Sequence, residues 1–171
     1  MKFLYRPDID GLRAFAVIIV ILYHSELFFL NTQFFKGGFI GVDIFFVISG
    51  YLISSIILRE KSKENGFLFS NFYERRARRI LPVLFCLLIV TLLMAFFVFP
   101  PTFSSQVAES ILYTLGFSSN IFFWLQSQVY GAANGFGIPL LHTWSLSVEE
   151  QFYLIFPIFF IFSLKYYPNK L

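Results

Sequence analysis

Hydrophobic residues in this chain come in long blocks rather than in alternation with polar ones. The blocks run from about Gly11 to Leu30, Gly38 to Leu58, Ile80 to Phe99 and Val148 to Leu164. Each is close to the ~20 residues a helix needs to cross ~30 Å of hydrocarbon. The pattern therefore predicts an all-α, polytopic transmembrane helical bundle of about four spans. The third block has no charged residue, and Pro100 and Pro101 end it because neither can donate the next helical hydrogen bond. The segment Val107 to Leu125 is also apolar, but it carries Glu109, Gly116, Ser118, Ser119 and Asn120 and reads as a membrane-surface or re-entrant piece. Tyr130 to Gly137, rich in Gly and Ala, reads as a flexible external loop. No repeat or soluble domain interrupts the chain, so residues 1–171 are expected to be a single membrane domain.

Composition strengthens the membrane assignment. Of 171 residues, 57% are hydrophobic and 13% charged, against roughly 25% charged in soluble domains. Too little polar side chain is present to cover a water-facing surface, which excludes disorder and a secreted mini-protein. The lone Cys86 lies inside an apolar block and cannot form an internal disulfide; it reads as a small buried or lipid-facing hydrophobe. Lys2 and Arg6 before Ala14 to Tyr23 resemble a secretory leader. Asp8 and Asp10 interrupt that basic start and no small-x-small site follows, so the segment is expected to be a retained first helix.

The placement of charge then orients the spans. Lys2, Arg6 and Arg13 lie at the first end, and Arg59, Lys61, Lys63, Arg75, Arg76, Arg78 and Arg79 fall between spans two and three. No Lys or Arg occurs from Ile80 to Leu164. Because basic residues favour the cytoplasmic side, the N-terminus and an arginine loop at 59–79 are expected inside, and 31–37 and 100–147 outside.

Ionisable groups at membrane depth are costly and mark candidate chemistry. Arg13 and His24 in the first block are eleven residues apart, a rotation within about 20° of three full turns and a rise of about 16.5 Å. They share one helix face, which links a cation at the inner boundary to a deeper titratable group. Arg13 reads either as part of this site or as a snorkelling side chain, and His24 either as a general base for a hydroxyl or as a packing histidine. Asp43, the one charge in span two, reads as a carboxylate facing His24 or as an interfacial cap. Arg75, Arg78 and Arg79 fall on one face if span three starts early, and with Arg76 they suit a polyphosphate such as coenzyme A, or else anionic headgroups. Glu149 and Glu150 open span four, either for chemistry or to complement the helix dipole. Adjacent helical positions diverge by about 100°, so at most one of them aims at a shared pocket. A Ser145–His142–Glu149 triad lacks any nucleophile elbow.

Several stretches resemble the acyltransferase family 3 membrane proteins, which O-acetylate lipopolysaccharide O-antigen, peptidoglycan and other exported glycans. They are Arg6-Pro7-Asp8-Ile9-Asp10-Gly11-Leu12-Arg13-Ala14, the Arg13-to-His24 spacing, Gly41-Val42-Asp43-Ile44-Phe45-Phe46-Val47-Ile48-Ser49-Gly50-Tyr51-Leu52-Ile53, Phe72-Tyr73 with the arginines, and Thr143-Trp144-Ser145-Leu146-Ser147-Val148-Glu149-Glu150-Gln151-Phe152-Tyr153. The resemblance implies acetyl-CoA as donor from the cytoplasmic face and a glycan hydroxyl outside as acceptor. It also implies a multi-pass protein of the bacterial inner membrane with its N-terminus inside. By the same resemblance Arg13 and His24 are the essential pair, Arg75, Arg76, Arg78 and Arg79 the loop arginines, and Glu149 or Glu150 the later acid, with no metal and no nucleic acid involved. Family members usually have about ten spans, so the chain is expected to be the N-terminal part of a larger bundle, either a truncated product or one half of a split gene whose C-terminal half is encoded separately. The alternatives are a non-enzymatic membrane subunit, a proton-coupled exporter using Arg13, His24 and Asp43 as a relay, or an inactive truncated fragment.

Overall fold

A computed structural model describes residues 6–25, 28–29, 32–33, 35–62, 66–128 and 139–166. These residues are all-helical apart from a two-residue antiparallel pairing of Phe28–Phe29 with Thr32–Gln33. Among them six helices follow one another: α1 (Pro7–His24), α2 (Ile40–Lys61), α3 (Phe69–Val98), α4 (Pro101–Leu115), α5 (Ser119–Ser127) and α6 (Thr143–Tyr166). The Gly-rich stretch 130–137 lies outside the described residues.

Three described helices, not four, are long and apolar enough to cross a membrane: α2, α3 and α6. The first expected span corresponds to α1, which is not among these three. Its helix stops at His24 after 18 residues, and Asp8, Asp10 and Arg13 occupy its first half. Large apolar side chains cover the outside of the helices; Phe96 and Phe97 are each 77% exposed. Such a surface would aggregate in water, and it suits hydrocarbon. Cys86 is exposed within the same apolar stretch.

The described residues form two compact units, Met1–Leu58 and Arg59–Leu171. In the first, α1 begins with Pro7 at a position whose N–H has no helical partner anyway, and Asp8 and Asp10 complement the positive end of the dipole. Arg6 bonds both oxygens of Asp8 and reaches the Tyr51 hydroxyl at 3.3 Å, which ties the start of α1 to the middle of α2. At the other end, Gly38 sits against Ile19 and Tyr23, and Gly41 against Ala16, Ile19 and Val20. The two helices are therefore antiparallel, and glycine permits their close approach.

In the second unit, α3 is longer than its apolar block because the preceding Phe72-to-Arg79 segment is also helical, braced by Glu74 and Arg78 one turn apart at 2.7 Å. At its end, Phe99 is extended and Pro101 opens α4. Helix α4 turns back along α3, where the Ser104 hydroxyl donates to the Ala95 carbonyl. Leu84, Leu88 and Ala95 of α3 pack with Val107 and Ile111 of α4, Phe122 and Phe123 of α5, and Leu140. The ambiguous segment 107–125 is thus a broken helix, interrupted at Gly116–Ser118, where Phe117 takes a left-handed φ of 48°. Lys61 donates to the Leu164 carbonyl near the C-terminus of α6, where the dipole favours a cation.

Candidate functional site

Arg13 and His24 lie on one unbroken helix, so their shared face stands. The α1 face against α2 is formed by Ala16, Ile19, Val20 and Tyr23. On a helical wheel the Arg13–His24 stripe is rotated about 60–90° from that face and forms a flank of the hairpin. The His24 Nδ1 lies 2.9 Å from the Val20 carbonyl oxygen. A carbonyl can only accept, so Nδ1 is the donor in this contact and Nε2 is left for another partner. The Tyr23 ring meets the imidazole edge-on at 5.1 Å.

Asp43 does not face His24, and that expectation is corrected. Gly41 points at α1, and two further residues turn the helix by about 200°, so Asp43 points away from it. The register is also wrong for contact. Gly38 is level with Ile19 and Tyr23, and Gly41 with Ala16 and Val20, so Asp43 lies further down α1 than His24. Asp43 is exposed, and the Val20 carbonyl holds the ring instead.

The second unit contains a cavity of about 350 Å³. Its first wall is one stripe of α3: Tyr73, Arg76, Ala77, Ile80 and Leu81. The α4–α5 turn, Gly116 to Ser118, supplies the second, and Glu150, Gln151, Tyr153 and Leu154 of α6 the third. The guanidinium of Arg76 stacks on the Tyr153 ring, 3.3 Å from its centroid. The Tyr73 hydroxyl donates to the Leu154 carbonyl at 2.9 Å. One turn further on, Pro157 lacks the N–H that would bond the Tyr153 carbonyl, so α6 is open at this level.

The two carboxylates of α6 separate as their angular offset requires. Glu149 accepts the Tyr153 hydroxyl. Glu150 lines the cavity, and its buried Oε1 meets no hydrogen-bond donor among the described residues. A buried carboxylate oxygen without a donor is costly, which singles it out as an acceptor for something entering the cavity. The Ser145 hydroxyl donates to the His142 backbone carbonyl at 3.1 Å, a bond within its own turn.

The four arginines do not converge. Arg76 enters the cavity, whereas Arg75 pairs with Glu60 at 2.6 Å and Arg78 with Glu74 at 2.7 Å on the outside. Charge placement put Tyr73 and Arg76 inside and residues 100–147 outside. In the structure the 116–118 turn and Glu150 share the cavity with Tyr73 and Arg76, so that segment returns to the arginine level. The inside–outside rule sees only charge, and 100–147 has no basic residue to reveal the return.

Sequence reasoning missed the groups that bind this return to α6. Thr143, Ser147 and Gln151 occur every four residues and form a polar stripe. Thr143 meets Thr114 and Ser119 at 3.2 and 3.1 Å, and the Ser147 and Ser119 hydroxyls are 2.7 Å apart. Gln151 donates to the Phe117 carbonyl at 2.7 Å and exchanges hydrogen bonds with Asn120 at 3.1 and 3.2 Å. The four-residue spacing of Thr143, Ser147 and Gln151 was the available signal.

The chain is 42% identical over 165 residues to the peptidoglycan O-acetyltransferase OatA of Listeria monocytogenes, covering 96% of this chain and 26% of that protein. It is 43% identical over 167 residues to the O-acetyltransferase OatA of Staphylococcus aureus, covering 97% and 26%. The chain thus spans about a quarter of the length of these relatives. No solved structure matches. The family model described as an acyltransferase domain matches residues 6–171, nearly every residue discussed above, and the chain belongs to that acyltransferase family.

Proposed function

We propose that the chain forms part of a membrane O-acyltransferase that moves an acetyl group from cytoplasmic acetyl-CoA to a hydroxyl of an extracytoplasmic glycan. The name of the Listeria monocytogenes relative favours peptidoglycan as the acceptor. The observation that carries this reading is the divided arginine cluster at the start of α3. Arg75, Arg78 and Arg79 present exposed guanidiniums on one helix face, while Arg76 stands in the adjoining cavity with Glu150.

The exposed face fits the phosphates of coenzyme A. Its ion pairs with Glu60 and Glu74 are solvent-accessible, and such pairs contribute only about 0–1 kcal/mol. A phosphate can displace them, gaining the forked geometry of guanidinium. The cavity beside them takes a neutral, hydrogen-bonding part of a ligand, with the Glu150 Oε1 as acceptor. His24, with its Nε2 lone pair available, acts as general base on the acceptor hydroxyl. Arg13, about 16.5 Å lower on the same face, is too far from His24 to act on the same hydroxyl and instead supplies a cation on the cytoplasmic side of the path the donor takes. The distribution of basic residues supports a cytoplasmic N-terminus and arginine cluster in a bacterial plasma membrane.

The test is transfer of label from acetyl-CoA to peptidoglycan in membranes carrying the protein. Covalent label in the glycan is expected, and its loss in His24→Ala at unchanged membrane abundance. Acetylation that survives His24→Ala would remove His24 from the mechanism. Solute flux without covalent label would favour the transporter.

A further inference from the structure

We propose that Gln151 is a positioning residue: through the Phe117 carbonyl it holds the α4–α5 turn as a fixed wall of the cavity that contains Glu150.

The turn needs an external restraint. Phe117 has a φ of 48°, a left-handed conformation that bulky L-residues rarely adopt. Local bonds hold the turn's N–H groups: Gly116 donates to Leu112, Phe117 to Thr114 and Ser118 to Tyr113. The Phe117 carbonyl is gripped from α6, by the Gln151 Nε2 at 2.7 Å. The same amide is fixed in direction by Asn120, which accepts from Nε2 at 3.1 Å and donates to Oε1 at 3.2 Å. Both donors and the acceptor of Gln151 are therefore committed, and the side chain has one orientation.

That orientation matters because of its neighbours. Gln151 and Phe117 both line the cavity, and Glu150 precedes Gln151 in the chain. A side chain that used its amide elsewhere would release the turn and let the second wall move relative to Glu150 and Arg76. Gln151 touches no group proposed to react. Its effect is on the geometry of Glu150 and Arg76, which line the cavity proposed to hold part of the donor.

Part of the test rests on the acyltransferase reading and part does not. In a Cys86→Ala background, Ala77→Cys places a thiol on the α3 wall of the cavity, away from the turn. Gln151→Glu keeps the reach of the side chain but sets an oxygen, not a donor, against the Phe117 carbonyl. Gln151→Met keeps the reach with no donor at all, and serves if the glutamate variant is not recovered in membranes. Both variants are expected to raise maleimide labelling of Ala77→Cys several-fold. In membranes that transfer acetyl groups they are expected to raise KM for acetyl-CoA several-fold, because the wall beside Glu150 shifts against the part of the donor held there, while kcat is little changed. Asn120→Ala, which keeps the bond to Phe117, is expected to have the smaller effect. Wild-type labelling in both Gln151 variants overturns the proposal. If wild-type membranes transfer no acetyl group, the acyltransferase reading fails while the labelling result still decides the role of Gln151.

Discussion

The guanidinium of Arg76 lies 3.3 Å from the centroid of the Tyr153 ring, while the Tyr153 hydroxyl is held by Glu149. One aromatic side chain thus supports a cation with its face and a carboxylate with its edge. The two contributions can be separated. Tyr153→Phe keeps the ring beneath Arg76 and loses the hydroxyl; Tyr153→Leu loses both. The leucine variant should be less stable than the phenylalanine variant by about 0.5–2 kcal/mol, the range for a cation over an aromatic ring. Thermal denaturation in detergent measures the difference. Equal stabilities would mean that the stacking contributes nothing.

Gly41 sets the approach of α1 and α2. A Cβ there would lie 2.6 Å from both the Ala16 carbonyl oxygen and the Val20 Cγ2. The carbonyl belongs to helical backbone and cannot swing aside, so the helices must separate. Gly41→Ala should destabilise the protein by about 1–3 kcal/mol, as overpacking does. At Gly37 a Cβ would meet nothing within 4 Å, and Gly37→Ala should change stability by no more than about 0.5 kcal/mol. Paired melting curves check this, and equal losses at the two positions would rule out close packing as the cause.

Much of this architecture was legible in the sequence because hydrocarbon imposes a length and a composition on each span. The ends of α2 and the Pro100–Pro101 break follow directly from apolar block and proline chemistry. Helix length is set by backbone bonding and not by hydropathy: α1 ends at His24, inside the first apolar block. The same separation of helix from span lets α3 begin at Phe69 among arginines. Face arguments within one helix survive, as for Arg13 with His24 and Glu149 against Glu150. Face arguments between helices fail without the register, and Asp43 is the example. Spacing favoured Arg75, Arg78 and Arg79, yet the tertiary contact with Tyr153 selects Arg76 for the cavity. The left-handed Phe117 that breaks 107–125 has no signature of its own beyond the neighbouring Gly116 and serines.

Ser147 joins α6 to the start of α5. It is buried, its hydroxyl is 2.7 Å from that of Ser119, and it also accepts the Ser119 N–H at 3.3 Å. Ser147→Ala removes both contacts with almost no change in volume. In membrane proteins such interhelical hydrogen bonds are worth about 0.6 kcal/mol on average and at most about 2 kcal/mol. The backbone N–H left in an apolar interior argues for the upper half of that range. Ser145→Ala, which removes a bond within its own turn, is the control and should be near neutral. A melting temperature unchanged by Ser147→Ala would show that water or a neighbour replaces the contact.

The exposed arginines invite a test that separates binding from folding. The Arg78 side chain is 79% exposed and its partner Glu74 is 57% exposed, so Arg78→Ala should cost at most about 1 kcal/mol of stability. If the same guanidinium holds a phosphate of acetyl-CoA, its loss removes a charged hydrogen bond worth about 1.5–3 kcal/mol. KM for acetyl-CoA should then rise by roughly 10–150-fold at tenfold per 1.4 kcal/mol, while kcat is little changed. Dephospho-acetyl-CoA, which lacks the 3′-phosphate, sharpens the comparison. Wild-type protein should bind it more weakly than acetyl-CoA, and the variant that has lost the matching arginine should no longer distinguish the two. Testing Arg75→Ala, Arg78→Ala and Arg79→Ala in parallel identifies which guanidinium meets that phosphate. If all three retain full discrimination, the phosphates bind elsewhere and this face serves the lipid headgroups.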